Sequence, residues 1–262
     1  NTTASNNTAV GMSALISNST GSNNTAVGWY SQFGNTTGLA NSSFGSQSLV
    51  SNTTGQYNDA FGLQALYANT TGNYNTAVGS QSLRFNTTAS ENTAVGYQAL
   101  YTNATGTRNT SVGYQSLKFS TASDNTAVGR AALSNTTSGA NNTALGSRAG
   151  VEITTGASNV AVGTQSLASN TTASNNTAVG YQAAYSTTTS NRLTVLGQQA
   201  GYGQQTGSEN TYVGYQSGPN TVANASGSSN TSLGAFSLYS NTTASENTAV
   251  GYQALYTNAT GT

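Results

Sequence analysis

Six carboxylates, Asp59, Glu91, Asp124, Glu152, Glu209 and Glu246, are the side chains of this sequence best suited to general acid or base chemistry, and no histidine or cysteine accompanies them among the 262 residues. Glycoside hydrolysis works with two carboxylates held a few ångströms apart, and nothing in the spacing of these six pairs them. A calcium loop needs clustered acids at short intervals, which are missing. The six basic residues, Arg84, Lys118 and four further arginines, are equally dispersed and balance the acids to a net charge of zero. The electrostatic footprint of a nucleic-acid binder is therefore absent, and no apolar run is long enough for a membrane span. The expectation is a protein without catalytic residues, metal or cofactor, and without nucleic-acid binding or membrane insertion.

Three other residue classes recur and could carry function. Asn-X-Ser/Thr sequons stand at Asn18, Asn35, Asn52, Asn69, Asn86, Asn103, Asn135, Asn170, Asn224, Asn241 and Asn258, mostly in expected turns, and are candidates for N-glycosylation. In a chain this rich in Asn and Thr, chance and Asx-turn chemistry account for the same motif. Aromatic residues recur at Phe33, Tyr67, Tyr101, Tyr185, Tyr202, Tyr239 and Tyr256; such a row can stack on sugar rings or contact a partner, or its members can pack on one another. A third row, Thr8, Thr25, Thr76, Thr93 and Thr126 among others, is reminiscent of ice-binding solenoids. Those present paired Thr columns, whereas this one is single and is interrupted by Ser42, Asp59 and Val160.

The elements that must position these residues follow from a repeat. Asn, Thr, Ser and Gly make up 143 of the 262 residues, and the hydrophobic share is 35%, too little for an ordinary globular core. Disorder normally comes with high net charge, and linkers with proline; this chain has no net charge and one Pro. The phrase Asn-Thr-Ala-Val-Gly recurs instead, and its glycines, from Gly11 to Gly251, are separated by 17 residues in twelve of fourteen intervals, with Gly113 to Gly129 one shorter and Gly214 to Gly234 three longer. Residues 1–262 are read as a single array of fifteen units with no second domain.

Aligned on that glycine, the units become columns. Four positions before it stands Asn in every unit but one, where Leu193 replaces it. A small residue, usually Ala, follows two positions later, with Val195 and Tyr212 as departures, and Val, Leu or Phe immediately precedes the glycine. Two positions after it Gln is the commonest residue, then Ala or Ser, then usually Leu. Helices are excluded by the glycines, the β-branched residues and the lack of an i, i+3, i+4 stripe. Two short strands per unit fit better, Asn-Thr-Ala-Val and Tyr-Gln-Ala-Leu-Tyr, joined by Asn-Thr-Thr-Gly turns. One unit buries nothing alone, so units must stack coil upon coil. The expected fold is all-β, a β-solenoid of parallel β-roll or β-helix type with about fifteen 17-residue coils, and at about 4.8 Å per coil roughly 70 Å long. Val, Leu and Phe before the glycine, with the later Leu, are expected inside. Asn and Gln columns are expected to form amide ladders between coils.

The stretch Asn92 to Leu100, repeated at Asn247 to Leu255, resembles repeats of phage and bacterial tail-fibre-like surface proteins and, more distantly, the left-handed β-roll heads of trimeric autotransporter adhesins. Thr93, Ala94, Val95, Gly96 and Ala99 reproduce the adhesin-head pattern, although at 17 residues per coil rather than about 14. The resemblance implies a homotrimer and a role as a shaft or adhesive fibre outside a cell or on a virion. Residues 86–107 recur identically as 241–262, which points to a segment of a longer protein or to copies continuing end to end as a filament. The functional expectation is a non-enzymatic structural rod of an extracellular fibre, on a cell surface or virion, with a glycan-recognising adhesin as the alternative and an ice-binding protein as a third reading.

Overall fold

The computed structural model describes residues 3–220 and 225–261. It is an all-β solenoid in which each coil contributes one three-residue parallel strand. Two compact units divide the chain, Asn1–Asn125 and Thr126–Thr262. The division falls within the 16-residue interval between Gly113 and Gly129.

The first unit carries β1 (Thr8–Val10), β2 (Thr25–Val27), β3 (Ser42–Phe44), β4 (Asp59–Phe61), β5 (Thr76–Val78), β6 (Thr93–Val95) and β7 (Thr110–Val112). The second carries β8 (Thr126–Val128), β9 (Thr143–Leu145), β10 (Val160–Val162), β11 (Thr177–Val179), β12 (Thr194–Leu196), β13 (Thr211–Val213), β14 (Thr231–Leu233) and β15 (Thr248–Val250). Within each unit every strand pairs in parallel with its sequence neighbour, position for position: Thr93 opposite Thr110 and Ala94 opposite Ser111 in the first, Thr177 opposite Thr194 and Val179 opposite Leu196 in the second. The repeat sets this register, because equal coil lengths bring equivalent residues level.

The strand alternates in the opposite sense to the expectation. The central Ala is enclosed, as at Ala26, Ala94 and Ala178, whereas Val10, Phe44, Leu145, Leu196 and Val250 are exposed. Val, Leu and Phe before the glycine therefore face outward, a correction to the inward placement the columns implied. Parity decides it: the Asn four before the glycine is buried, and in a period-two strand the residue two positions later must share its side. Where Tyr212 replaces this Ala, the leucine column holds Gly201 and Gly218 against its ring, so a small residue here makes room for Leu.

The second expected strand is a run of turns instead. Gln98 has φ 53° and Leu100 φ 50°, and the same two positions are left-handed in nearly every coil. This breaks period two, so that consecutive residues, Ala99 with Leu100 and Ser116 with Leu117, are both buried, which no strand could achieve. A left-handed Leu costs about 1–2 kcal/mol, comparable to what burying its side chain returns at about 1.5–3 kcal/mol. Backbone pairing persists through the turns: Gln64 N donates to Ser46 O of the preceding coil (3.0 Å) and Leu66 N to Ser82 O of the following one (3.0 Å). The ruler glycine sits where the coils come closest. Gly28 has φ 137°, and a Cβ there would lie 2.4 Å from Gly45 O, so no other residue fits without displacing the stack.

Candidate functional site

Two asparagine columns line the interior. In the first, each Asn side chain links its neighbours through both side-chain and backbone partners. Asn58 Oδ1 accepts from the backbone N of Asn75 (3.0 Å) and from its Nδ2 (3.1 Å), while Asn58 Nδ2 donates to Gly72 O (2.8 Å) and to Asn41 Oδ1 (3.2 Å). The expected amide ladder is present, and it saturates donors that a buried corner would otherwise leave unpaired.

The second column consists of the sequon asparagines. Asn35, Asn52, Asn69, Asn86 and Asn103 are each fully buried, and Asn18, Asn170 and Asn241 nearly or fully so. Asn69 Nδ2 donates to Asn52 Oδ1 (2.9 Å) and to Gly72 O (3.0 Å), and Asn86 repeats the pair on Asn69 Oδ1 (2.8 Å) and Ala89 O (3.0 Å). The nitrogen that would carry a glycan is thus engaged inside the coil at Asn18, Asn35, Asn52, Asn69, Asn86, Asn103, Asn170 and Asn241. Asn135 differs because it stands six rather than seven positions after its ruler glycine, Gly129: Thr136 takes the buried place, and the half-buried Asn135 donates to Glu152 Oε2 (2.9 Å). Asn258 is half-buried, donating to Asn247 Oδ1 (3.2 Å). Asn224 lies outside the described residues. The sequence carried a signal for this second ladder, a sequon recurring at the coil period, which glycosylation chemistry does not require.

The seven candidate aromatics occupy one column and are half-buried throughout. Tyr185 stacks on Tyr202 (centroids 5.1 Å, 5° between planes) and Tyr239 on Tyr256 (5.0 Å, 7°). Rings stacked along the coil axis cover each other's faces and present edges outward, so these pairs offer little face area to a sugar. Phe33 stacks on Tyr30 (4.8 Å). Tyr67 and Tyr101 are joined through Arg84, whose Nη1 donates to Tyr101 Oη (2.8 Å) and whose guanidinium lies 5.6 Å from the Tyr67 centroid. A second row, directly after the ruler glycine, is more accessible: Trp29, Tyr97, Tyr114, Tyr181, Tyr215 and Tyr252 are all exposed, with Tyr97 and Tyr114 5.5 Å apart.

The ionisable groups are held on the outside. Arg108 Nε donates to Asp124 Oδ1 (2.7 Å), and this hydrogen bond holds the Asp124 carboxyl below its ordinary range. Arg192 pairs with Glu209 one coil on. Among the described residues no three acids gather where they could hold a metal ion. The one strongly perturbed group inside is Tyr212, whose phenol burial pushes far above its usual pKa; its Oη donates to Gln204 Oε1 (2.9 Å). Buried, neutral and hydrogen-bonded, it fills space and is not poised for catalysis.

Comparison with protein-family models, with characterised proteins and with solved structures returns no match. Function must be argued from the faces themselves. No helix among the described residues is long and apolar enough to cross a membrane.

Proposed function

We propose that the chain is a non-enzymatic structural segment of an extracellular fibre, the shaft of a tail-fibre-like or other surface fibre on a cell or virion. The observation that carries this reading is the pair of interior asparagine ladders. They spend the chain's polar side chains on joining coil to coil, a device that resists proteolysis and local unfolding and leaves few groups for chemistry. Assembly as a homotrimer or as an end-to-end filament belongs to the same reading, and the exposed Phe44, Phe61 and Val78 of the first unit's outward column offer apolar surface to a neighbouring copy. Electron microscopy of the purified chain, with thermolysin digestion, tests it: an elongated particle that survives protease at ratios that degrade globular controls is expected, and a compact, readily digested particle would overturn it.

A second reading, an adhesin that recognises surface glycans, is favoured by one observation, the exposed ring row at Tyr97 and Tyr114. Glycan-array binding that disappears in Y97A/Y114A while the fold is retained is the expected result; an array without hits removes this reading.

A further inference from the structure

The outward face of the second unit's strands combines three properties. First, its composition is uniform. Seven of the eight strands β8 to β15 open with Thr, β10 with Val160 being the exception, and all eight close with Val or Leu. No charged or aromatic side chain occupies these sixteen outward positions. Second, it is accessible: Thr177 and Thr194 are exposed, Leu196 is 50% exposed and Val250 64%. Third, it is periodic. Thr194 lies level with Thr211 and Leu196 level with Val213, so a hydroxyl row and a methyl row run side by side. Their steps are about 4.8 Å from coil to coil and about 6.6 Å from Thr to Val along the strand.

The chemistry of this face selects its occupant. A charged ligand finds no opposite charge and a sugar no ring among these sixteen positions; the exposed rings of this unit, Tyr181, Tyr215 and Tyr252, follow the ruler glycine. A second copy packed dry against it would bury a row of threonine hydroxyls, each costing about 1–3 kcal/mol if left without a partner. An ordered water lattice satisfies every hydroxyl as donor and acceptor, and the methyl row restricts the orientation of first-shell water in the same period. Repetition over eight coils turns weak contacts into a multivalent one.

We infer that the Thr/aliphatic sheet face of the second unit binds the surface of ice crystals. The sequence shows only a single Thr column; the outward turn of the Val and Leu column supplies its partner row. In the first unit the pattern is broken by Asp59 and by the stacked pair Phe44 and Phe61 (centroids 5.2 Å), so the activity belongs to the second unit. The inference stands apart from the fibre reading, because ice binding is measured on the isolated chain whatever its assembly.

The test is thermal hysteresis and inhibition of ice recrystallisation by the full chain, by T194K on the face, and by T155K at an exposed corner away from it. The wild type and T155K are expected to shape ice crystals and to open a freezing gap, and T194K to lose at least about tenfold of that activity at equal concentration. An inactive wild type overturns the inference outright, whether or not T194K folds. So does a T194K that folds by circular dichroism and retains full activity. Sedimentation supplies the remaining arm: a wild-type oligomer that dissociates in T194K would assign the face to a second copy and overturn ice binding.

Discussion

Ile153 fills the space that Gly150 leaves open. Ile153 stands in the sequon-asparagine column, where a large apolar side chain needs room, and three residues earlier Gly150 replaces the Leu that most coils carry. A Cβ on Gly150 would lie 2.9 Å from Ile153 Cδ1, and its φ is 57°. The same exchange recurs around Tyr212, which takes the place of the usual small residue while Gly201 and Gly218 stand in the leucine column; a Cβ on Gly218 would meet the Tyr212 ring at 2.6 Å. Interior volume is thus conserved coil by coil even where residue types are not.

Gly150→Leu alone should destabilise the chain by about 1–3 kcal/mol through overpacking, and the double variant G150L/I153N, which restores the common pattern, should recover most of the loss. Urea unfolding of the two singles and the double reads the coupling; additive effects would show that the two positions are independent.

Tyr212→Ala should cost about 3–5 kcal/mol, the range for a truncated buried aromatic, whereas Tyr212→Phe forfeits the Gln204 hydrogen bond alone, about 1–2 kcal/mol. Thermal unfolding checks the ranking. Equal losses would mean that the ring itself contributes no packing.

Asn58→Ala removes a side chain that both donates and accepts within the first ladder, leaving the backbone N–H of Asn75 and the carbonyl of Gly72 without these partners. About 2–4 kcal/mol should be lost, with amide exchange accelerated in the adjoining coils first. Uniform exchange along the unit would contradict a ladder that acts locally.

Glycopeptide mass spectrometry on folded protein exposed to a glycosylating extract should find Asn52, Asn69 and Asn86 unmodified, since their Nδ2 atoms are buried and bonded. Any modification should concentrate at half-buried positions such as Asn135. A glycan at Asn69 in protein that retains its circular dichroism spectrum would refute the buried ladder.

Stability should be nearly flat across neutral pH, because the chain has no histidine. Asp124 is held below its ordinary pKa by Arg108, so its contribution is present above the unfolded-state value and is lost as pH falls through the folded one. The pair is solvent-exposed and its share small. D124N should therefore flatten part of the acid limb of a Tm-against-pH profile and leave the neutral plateau unchanged.

Composition and period alone determined a good deal of this protein. The 17-residue spacing requires equal coils, equal coils require a parallel position-for-position register, and the Asn four before the glycine is brought level from coil to coil, where its amides can bond as a ladder. The absence of histidine and cysteine and the scatter of the six acids are likewise plain from the residues. What only the tertiary structure decided is the sense of the strand and the path of the other half of the coil. Alternation in Thr-Ala-Val says that Ala and Val part company but not which goes inside; the backbone bonds of the neighbouring Asn decide it, and those exist only once coils are stacked. The left-handed residues at Gln98 and Leu100 were illegible for a related reason. Neither side chain favours that conformation by itself, and it is held by hydrogen bonds to the coils on either side together with the burial of Leu100. The burial of the sequon asparagines was illegible on the same account, because an Asn-Thr-Thr-Gly turn looks alike at a surface corner and in an interior one, and only the next coil encloses it.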